Sequence, residues 1–297
     1  MRQIKLIAQS KLVLLLVLPF AGASLVLQIR EWTVNFWPAA VLSLTLSLLL
    51  GLLALKLGAV TAGGAWAGAA ITACMIFSTE TFTPAGSFPY APWHTALVPL
   101  LTLFVLTHIA TRFGGRRKEA LGTAERHEGR NAAQVAANLG IAAMAFSEPI
   151  QSWLTGFQCF SRLTPTLLLA IGLAALAEAA ADTFSSEIGQ VLDRQPRMIT
   201  TLRRVEPGSD GAVSLIGSLA GAAAAVAVAF IGTLALGGGR WMLIIGSAGG
   251  VLGLFADSLL GATLERRGWL NNDAVNFLSS ACAAVFALGL LALLPHP

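Results

Sequence analysis

Residues 165–182 read PTLLLAIGLAALAEAAAD, an apolar run interrupted only by Glu178 before it reaches Asp182. A helix needs about 20 mostly apolar residues to cross a hydrocarbon core of about 30 Å. Comparable runs recur on both sides of this one, and windows at 12–29, 37–57, 59–78, 92–111, 131–147, 212–236, 241–261 and 274–294 bring the total to nine. The chain of 297 residues is 56% hydrophobic and 11% charged, with mean hydropathy +0.74, whereas soluble domains are about 25% charged. An ordinary soluble enzyme is excluded. The runs also lack period-two alternation, which excludes a transmembrane barrel. The expected fold is therefore an all-α, polytopic membrane helix bundle of about nine transmembrane helices, forming one domain over residues 1–297. Thirty glycines suit helices that pack through small residues, and Gly64/Gly68, Gly217/Gly221 and Gly249/Gly253 mark such faces. The basic start, residues 1–11, leads into a stretch with no convincing cleavage site, so 12–29 reads as a retained first helix.

Lys and Arg collect in cytoplasmic loops of membrane proteins. With nine helices and a cytoplasmic N-terminus, 16 of the 19 Lys and Arg fall on the cytoplasmic side, leaving Arg30, Arg162 and Arg240 outside. Arg116, Arg117 and Lys118 read as an exposed run that sets topology and touches anionic lipid. No aromatic interleaving or motif supports nucleic-acid binding. Cys74, Cys159 and Cys282 lack metal-ligand spacing and read as small apolar fillers. His94, His108, His127 and His296 are scattered.

Polar side chains are costly inside a bilayer, so their positions carry the functional information. Asn131, Gln134 and Asn138 lie at i, i+3 and i+7, one stripe of a helix; they suit either a ligand face or interhelical hydrogen bonds. Glu178, Asp182 and Ser186 repeat every four residues. Carboxylates one turn apart repel unless a cation, an arginine or a proton lies between them, which points to a divalent-metal or proton site. Arg203 and Arg204 precede Pro207-Gly208-Ser209-Asp210-Gly211 and a helix start at Ser214, where backbone N–H groups would receive a phosphate; ordinary turn and capping chemistry also accounts for that pattern. It is not a Walker A loop. Asp257 lies within an apolar span, and Asn272, Asp273 and Asn276 open the next. All four patches fall on the cytoplasmic side of the charge-derived topology. Their convergence suggests a site for magnesium and phosphates, with the apolar tail of a lipid lying between helices.

Five blocks in fixed order carry a resemblance: Arg-Asn-Ala-x-Gln-Val-x-Ala-Asn-x-Gly at 130–140, Ala-Asp-Thr-x-x-Ser-Glu-Ile-Gly at 181–189, Gly-x-x-Gly-x-Val-Ser at 208–214, Asp-Ser-Leu-Leu-Gly-Ala at 257–262 and Asn-Asn-x-x-Val-Asn-Phe at 271–277. Over about 40–294 the chain resembles the phytyl-phosphate kinase-like, or transmembrane protein 19-like, integral membrane proteins. Residues 12–29 lie outside the resemblance. Gly208-Ser209-Asp210-Gly211 stands where many relatives have Gly-Thr-Asn-Gly. The resemblance implies a kinase that phosphorylates an isoprenyl (phytyl or geranylgeranyl type) monophosphate, with CTP the favoured nucleoside triphosphate and Mg2+ as cofactor, in contact with membrane lipids. Under that reading Asp182, Asp257, Asp273 and Glu187 are the catalytic candidates. Asp182, Asp257, Asp273 and Glu178 are the metal candidates. Arg130, Arg203 and Arg204 neutralise phosphates, Gly208, Gly211 and Ser214 offer backbone N–H groups, and Asn131, Asn138, Asn272 and Asn276 orient the ligands. The expected location is a bacterial plasma membrane with the site facing the cytoplasm. A prenol kinase, a transporter of an anionic solute and a structural lipid-binding protein are the competing expectations.

Overall fold

The computed structural model describes residues 2–80, 91–122, 129–161, 163–193 and 195–294, without the side chains of 2–6 and 31–36. Arg126, Arg162, Arg194, His127 and His296 lie outside the described residues. The helices run α1 Arg2–Lys56, α2 Ala62–Thr79, α3 Leu97–Arg112, α4 Gly115–Leu121, α5 Ala132–Phe146, α6 Glu148–Thr155, α7 Pro165–Leu168, α8 Ala170–Leu192, α9 Leu215–Ala235, α10 Arg240–Leu260 and α11 Asn272–Ala292. A π-helical turn, Gly261–Glu265, extends α10. A two-residue ribbon, β1 Arg197–Met198 and β2 Ala212–Val213, pairs antiparallel between α8 and α9.

Each apolar window of the sequence coincides with a helical segment. Among the described residues, seven segments have the length and apolar character of a membrane span. An eighth forms if α3 and α4, bent by 63°, are one broken span. The window at 131–147 lands on α5, 15 residues long and shorter than a full crossing.

The first two windows lie within the single helix α1, with Pro38 inside it. A straight helix of this length would extend about 80 Å at 1.5 Å per residue, yet both its ends lie at one face. Gln9 donates to the Trp269 carbonyl, and Leu57, just past the other end, accepts from Arg112. Leu25, Ile29 and Leu44 all pack on the small cluster of Ala39, Ala40, Ala73 and Phe77. The two halves of α1 thus lie side by side against α2 as two spans.

Helix α8 is the axis of the bundle. Every residue from Ala170 to Ala181 is buried, and α8 is packed by α3, α5, α9, α10 and α11. Glycines on its neighbours permit that approach. A methyl group on Gly221 of α9 would lie 2.7 Å from the Ala181 carbonyl oxygen, and one on Gly253 of α10 would lie 2.6 Å from Glu178 Cγ. Without side chains there, the backbones close to distances at which dispersion between small residues holds a membrane bundle together.

Lys118 departs from the sequence expectation. It is not part of an exposed run: it is 2% exposed and its ammonium pairs with Glu187 at 2.5 Å. It also donates to the Ala110 and Thr111 carbonyls. Gly114, in the left-handed region at φ +64°, turns the chain so that α4 folds this cation back against α8. Arg116 remains exposed.

Two stability outcomes follow from this packing. Gly221→Val is expected to lower stability by about 1–3 kcal/mol, the usual cost of overpacking; Gly289→Ala, which meets nothing within 4 Å, should leave the thermal unfolding temperature in detergent unchanged. Lys118→Met strands the Glu187 carboxylate and should cost about 3–5 kcal/mol, while adding Glu187→Leu should recover most of that loss. Equal unfolding temperatures for the single and double variants would count against the pair as the reason α4 docks on α8.

Candidate functional site

Where α8, α10 and α11 reach the face that holds the start of α1, they surround a polar cavity of about 400 Å³. Asp182, Ser185 and Ser186 of α8 line one side, and Asp257 and Ser258 of α10 line another. Asn272 and Asn276 of α11 complete the wall, and the Pro207–Gly211 loop covers it. Gly208 and Gly211 adopt φ of +82° and +74°, conformations that glycine reaches without strain. At Gly211 a side chain would also collide with Ala262, so the loop lies directly on the end of α10. Ser214 caps α9 through the Gly217 N–H at 3.0 Å.

Glu178 lies one turn deeper than Asp182. Its two carboxylate oxygens accept from Ser279 at 2.7 Å and Ser280 at 2.5 Å, so it is fully engaged inside the bundle rather than part of the cavity lining. Asp182 and Asp257 face each other, and the positive charge of Arg130 acts on Asp182. Asp257 Oδ2 is buried and meets no hydrogen-bond donor among the described residues. A carboxylate oxygen without a donor, beside a second carboxylate, is a donor set that magnesium takes, since that ion keeps several waters and uses one or two carboxylates plus phosphate oxygens. Among the described residues no three His, Cys, Asp or Glu side chains gather at one point. The cavity therefore suits an ion completed by phosphate and water.

Other candidates have different partners. Asp273 is buried, and Ser10 donates to its Oδ2 at 2.6 Å; it does not line the cavity. Glu187 is held by Lys118 and Gln190. Asn131 is the N-cap of α5 and forms a capping box with Gln134, which corrects the reading of these two as a ligand stripe with Asn138. Asn138 alone of the three faces another helix, accepting from Asn276 Nδ2 at 3.3 Å. Arg203 and Arg204 are exposed beyond the cavity lining, in the segment that pairs with Met198 and Arg197.

Sequence reasoning missed Glu265, Gln190, Ser279 and Ser280. Glu265 and Gln190 line the cavity. Glu265 stands eight residues after Asp257 and reaches the cavity through the π-helical turn, an irregularity that often marks functional sites and that leaves no mark in apolar periodicity. Ser279 and Ser280 had a detectable signal, because a glutamate inside an apolar helix requires donors on a facing helix. Gln9 and Ser10 were also missed. Gln9 accepts from the Asn271 N–H at 2.8 Å and Ser10 accepts from Asn271 Nδ2 at 2.8 Å, so the first turns of α1 hold the start of α11.

Comparison with known proteins gives three informative relatives. An uncharacterized membrane protein of Synechocystis is 33% identical over 211 residues, 67% of this chain and 74% of that protein. The chloroplastic protein VTE6 of Arabidopsis thaliana is 28% identical over 262 residues, 85% of this chain and 71% of that protein. An uncharacterized membrane protein of Methanocaldococcus jannaschii is 40% identical over 116 residues, 39% of this chain, and the match spans about half of that protein, 48%. No solved structure matches. The family model described as integral membrane protein DUF92 matches residues 45–284, a span that contains Arg130, Asn138, the carboxylate pair, the Gly208–Gly211 loop and Asn276. The chain belongs to this family of integral membrane proteins.

Proposed function

We propose that this protein is an isoprenyl monophosphate kinase, transferring the terminal phosphate of a nucleoside triphosphate, CTP in the first instance, to a phytyl or geranylgeranyl type lipid monophosphate. The observation that carries the reading is the facing pair Asp182 and Asp257 beneath a glycine loop, at one end of an apolar bundle. Membership of the DUF92 family and the five-block resemblance to phytyl-phosphate kinase-like proteins support it. The reaction would take place at the cytoplasmic face of a bacterial plasma membrane, the side to which the Lys and Arg distribution assigns these loops.

The acceptor is a phosphate oxygen, already ionised near neutral pH, so the site has little need of a strong base. Its oxygen forms a new bond to the terminal phosphorus of the donor as the bond to the departing nucleoside diphosphate breaks, and positioning with charge neutralisation supplies most of the catalysis. Asp182 and Asp257 would hold magnesium, which neutralises phosphate charge when bound. Arg130 adds a fixed positive charge on the Asp182 side. Asn276 lines the cavity and is oriented by Asn138, so its amide is placed to fix one phosphate. Gly208 and Gly211 let the loop backbone lie close to a ligand without side chains intervening.

The test follows labelled terminal phosphate from CTP, ATP, GTP or UTP onto phytyl and geranylgeranyl monophosphates and onto the free alcohols, with and without magnesium, using folded protein in detergent. Diphosphate formed from the monophosphate and dependent on magnesium is expected. Faster consumption of the free alcohol would instead establish a prenol kinase, and no transfer at all would sink the kinase reading. Asp182→Asn and Asp257→Asn should each lower kcat on the order of 10²–10³-fold, the usual cost of one preorganised electrostatic group. Asp273→Asn, whose carboxylate is occupied by Ser10, should lower it far less.

A further inference from the structure

A second cavity, about 550 Å³, is bounded by the second half of α1 with α2, α3, α5 and, at Ala179, α8. Its walls are apolar through most of its length. Leu100, Phe104, Thr107 and Thr111 line it on successive turns of α3, an extent of about 16 Å at 1.5 Å per residue. Gly64, Gly68 and Thr72 line it in the same way along α2. Its charge is confined to one end, where Arg112, Lys118, Glu119 and Arg130 stand; Lys118 is neutralised there by Glu187. That is the end nearest the polar cavity. Two features join the chambers. Asn138, in the apolar cavity, is hydrogen-bonded to Asn276, in the polar one, and Arg130 lines the apolar cavity while its charge acts on Asp182 across the divide.

We infer that the apolar cavity holds the single isoprenyl chain of the acceptor, with its phosphate at Arg130 beside the Asn138–Asn276 bond, and that Gly68 and Phe104 set the chain length admitted. This rests on the kinase reading for the identity of the acceptor. The volume falls in the range of sites for one small ligand, about 300–1,000 Å³, which suits one chain and not the two of a phospholipid. A single charged end matches a monophosphate headgroup. Gly68 lines the chamber midway along α2 without a side chain: a Cβ there would meet only Val135 Cγ1 within 4 Å, at 3.6 Å, so a larger residue would extend into the cavity without displacing backbone. Phe104, stacked on His108 at 5.8 Å between ring centroids, contributes its ring to the lining from α3.

The experiment uses the full-length protein in nanodiscs and a geranylgeranyl monophosphate analogue with a benzophenone at its far end. The crosslink should map to residues 62–79 and 97–112, and geranylgeranyl monophosphate should compete with it while dioleoyl phosphatidate does not. Gly68→Leu should lower labelling by about tenfold or more, the discrimination an apolar pocket makes over one or two carbon units, and should affect shorter chains less. Phe104→Ala should shift the preference toward longer chains, which keeps the test decisive should Gly68→Leu fail to fold. Crosslinks on lipid-facing surfaces, equal competition by phosphatidate, or a chain-length profile that neither variant changes would each overturn the assignment. Labelling within the cavity without any phosphate transfer would uphold the tail site and defeat the kinase reading; transfer with labelling elsewhere would do the reverse.

Discussion

A carboxylate cannot be carried into an apolar bundle without partners, and the hydrogen bonds from Ser279 and Ser280 to the two oxygens of Glu178 meet that demand. Burying a polar group without hydrogen-bond partners costs about 2–7 kcal/mol, so this contact fixes how α11 lies against α8. Gly253 on α10 leaves room for the Glu178 side chain, which sets the approach of the third helix. With α10 and α11 placed in this way, Asp182, one turn along α8, lines one cavity with Asp257 and with Asn276 of α11. The polar cavity is a geometric consequence of satisfying one residue beneath it.

The outer ends of the same helices are held by polar contacts made far along the chain. Ser10 and Gln9 bind the first turn of α11, some 260 positions away. Lys118 ties α4 to the end of α8. The Val60–Arg130 bridge and the Thr61 N–H to Arg130 carbonyl bond tie the starts of α2 and α5 together, and Gly64 allows that approach because a side chain there would collide with the Arg130 carbonyl. The family match begins at residue 45, so the contacts from Gln9 and Ser10 are made by the part of α1 that lies outside it.

Most of the architecture is legible in the sequence because apolar length is a strong signal, and each window became helix. Windows report apolarity alone. They could not show that the first two share the helix α1, that α3 and α4 meet at 63°, or that Lys118 is drawn inward by a glycine turn and a carboxylate 69 positions away. In the site, the four-residue spacing of Glu178 and Asp182 announced one helical face, while their division between a serine-bound carboxylate and a cavity-lining one depended on α11. Asp273 looked equivalent to Asp182 because Ser10 lies 263 residues away. Asn131 and Gln134 did have a local explanation, since an Asn followed three residues later by Gln is the pattern of a capping box; read as part of a stripe with Asn138, they were given a role that the backbone had already claimed.

Helix α8 also borders two cavities of different character. Ala179 lines the apolar chamber and Asp182 the polar one, and three residues on a helix are separated by only about 4.5 Å along its axis. Under the proposed reading, a lipid phosphate at the charged end of the first chamber would lie near Arg130, whose charge acts on Asp182 in the second. Glu178 is turned to Ser279 and Ser280, while Arg130 lines the apolar chamber and its charge acts on Asp182, which makes it a cation shared between the chambers. In the proposed reaction, that shared cation draws the acceptor to the junction while the carboxylate pair beyond it receives the donor.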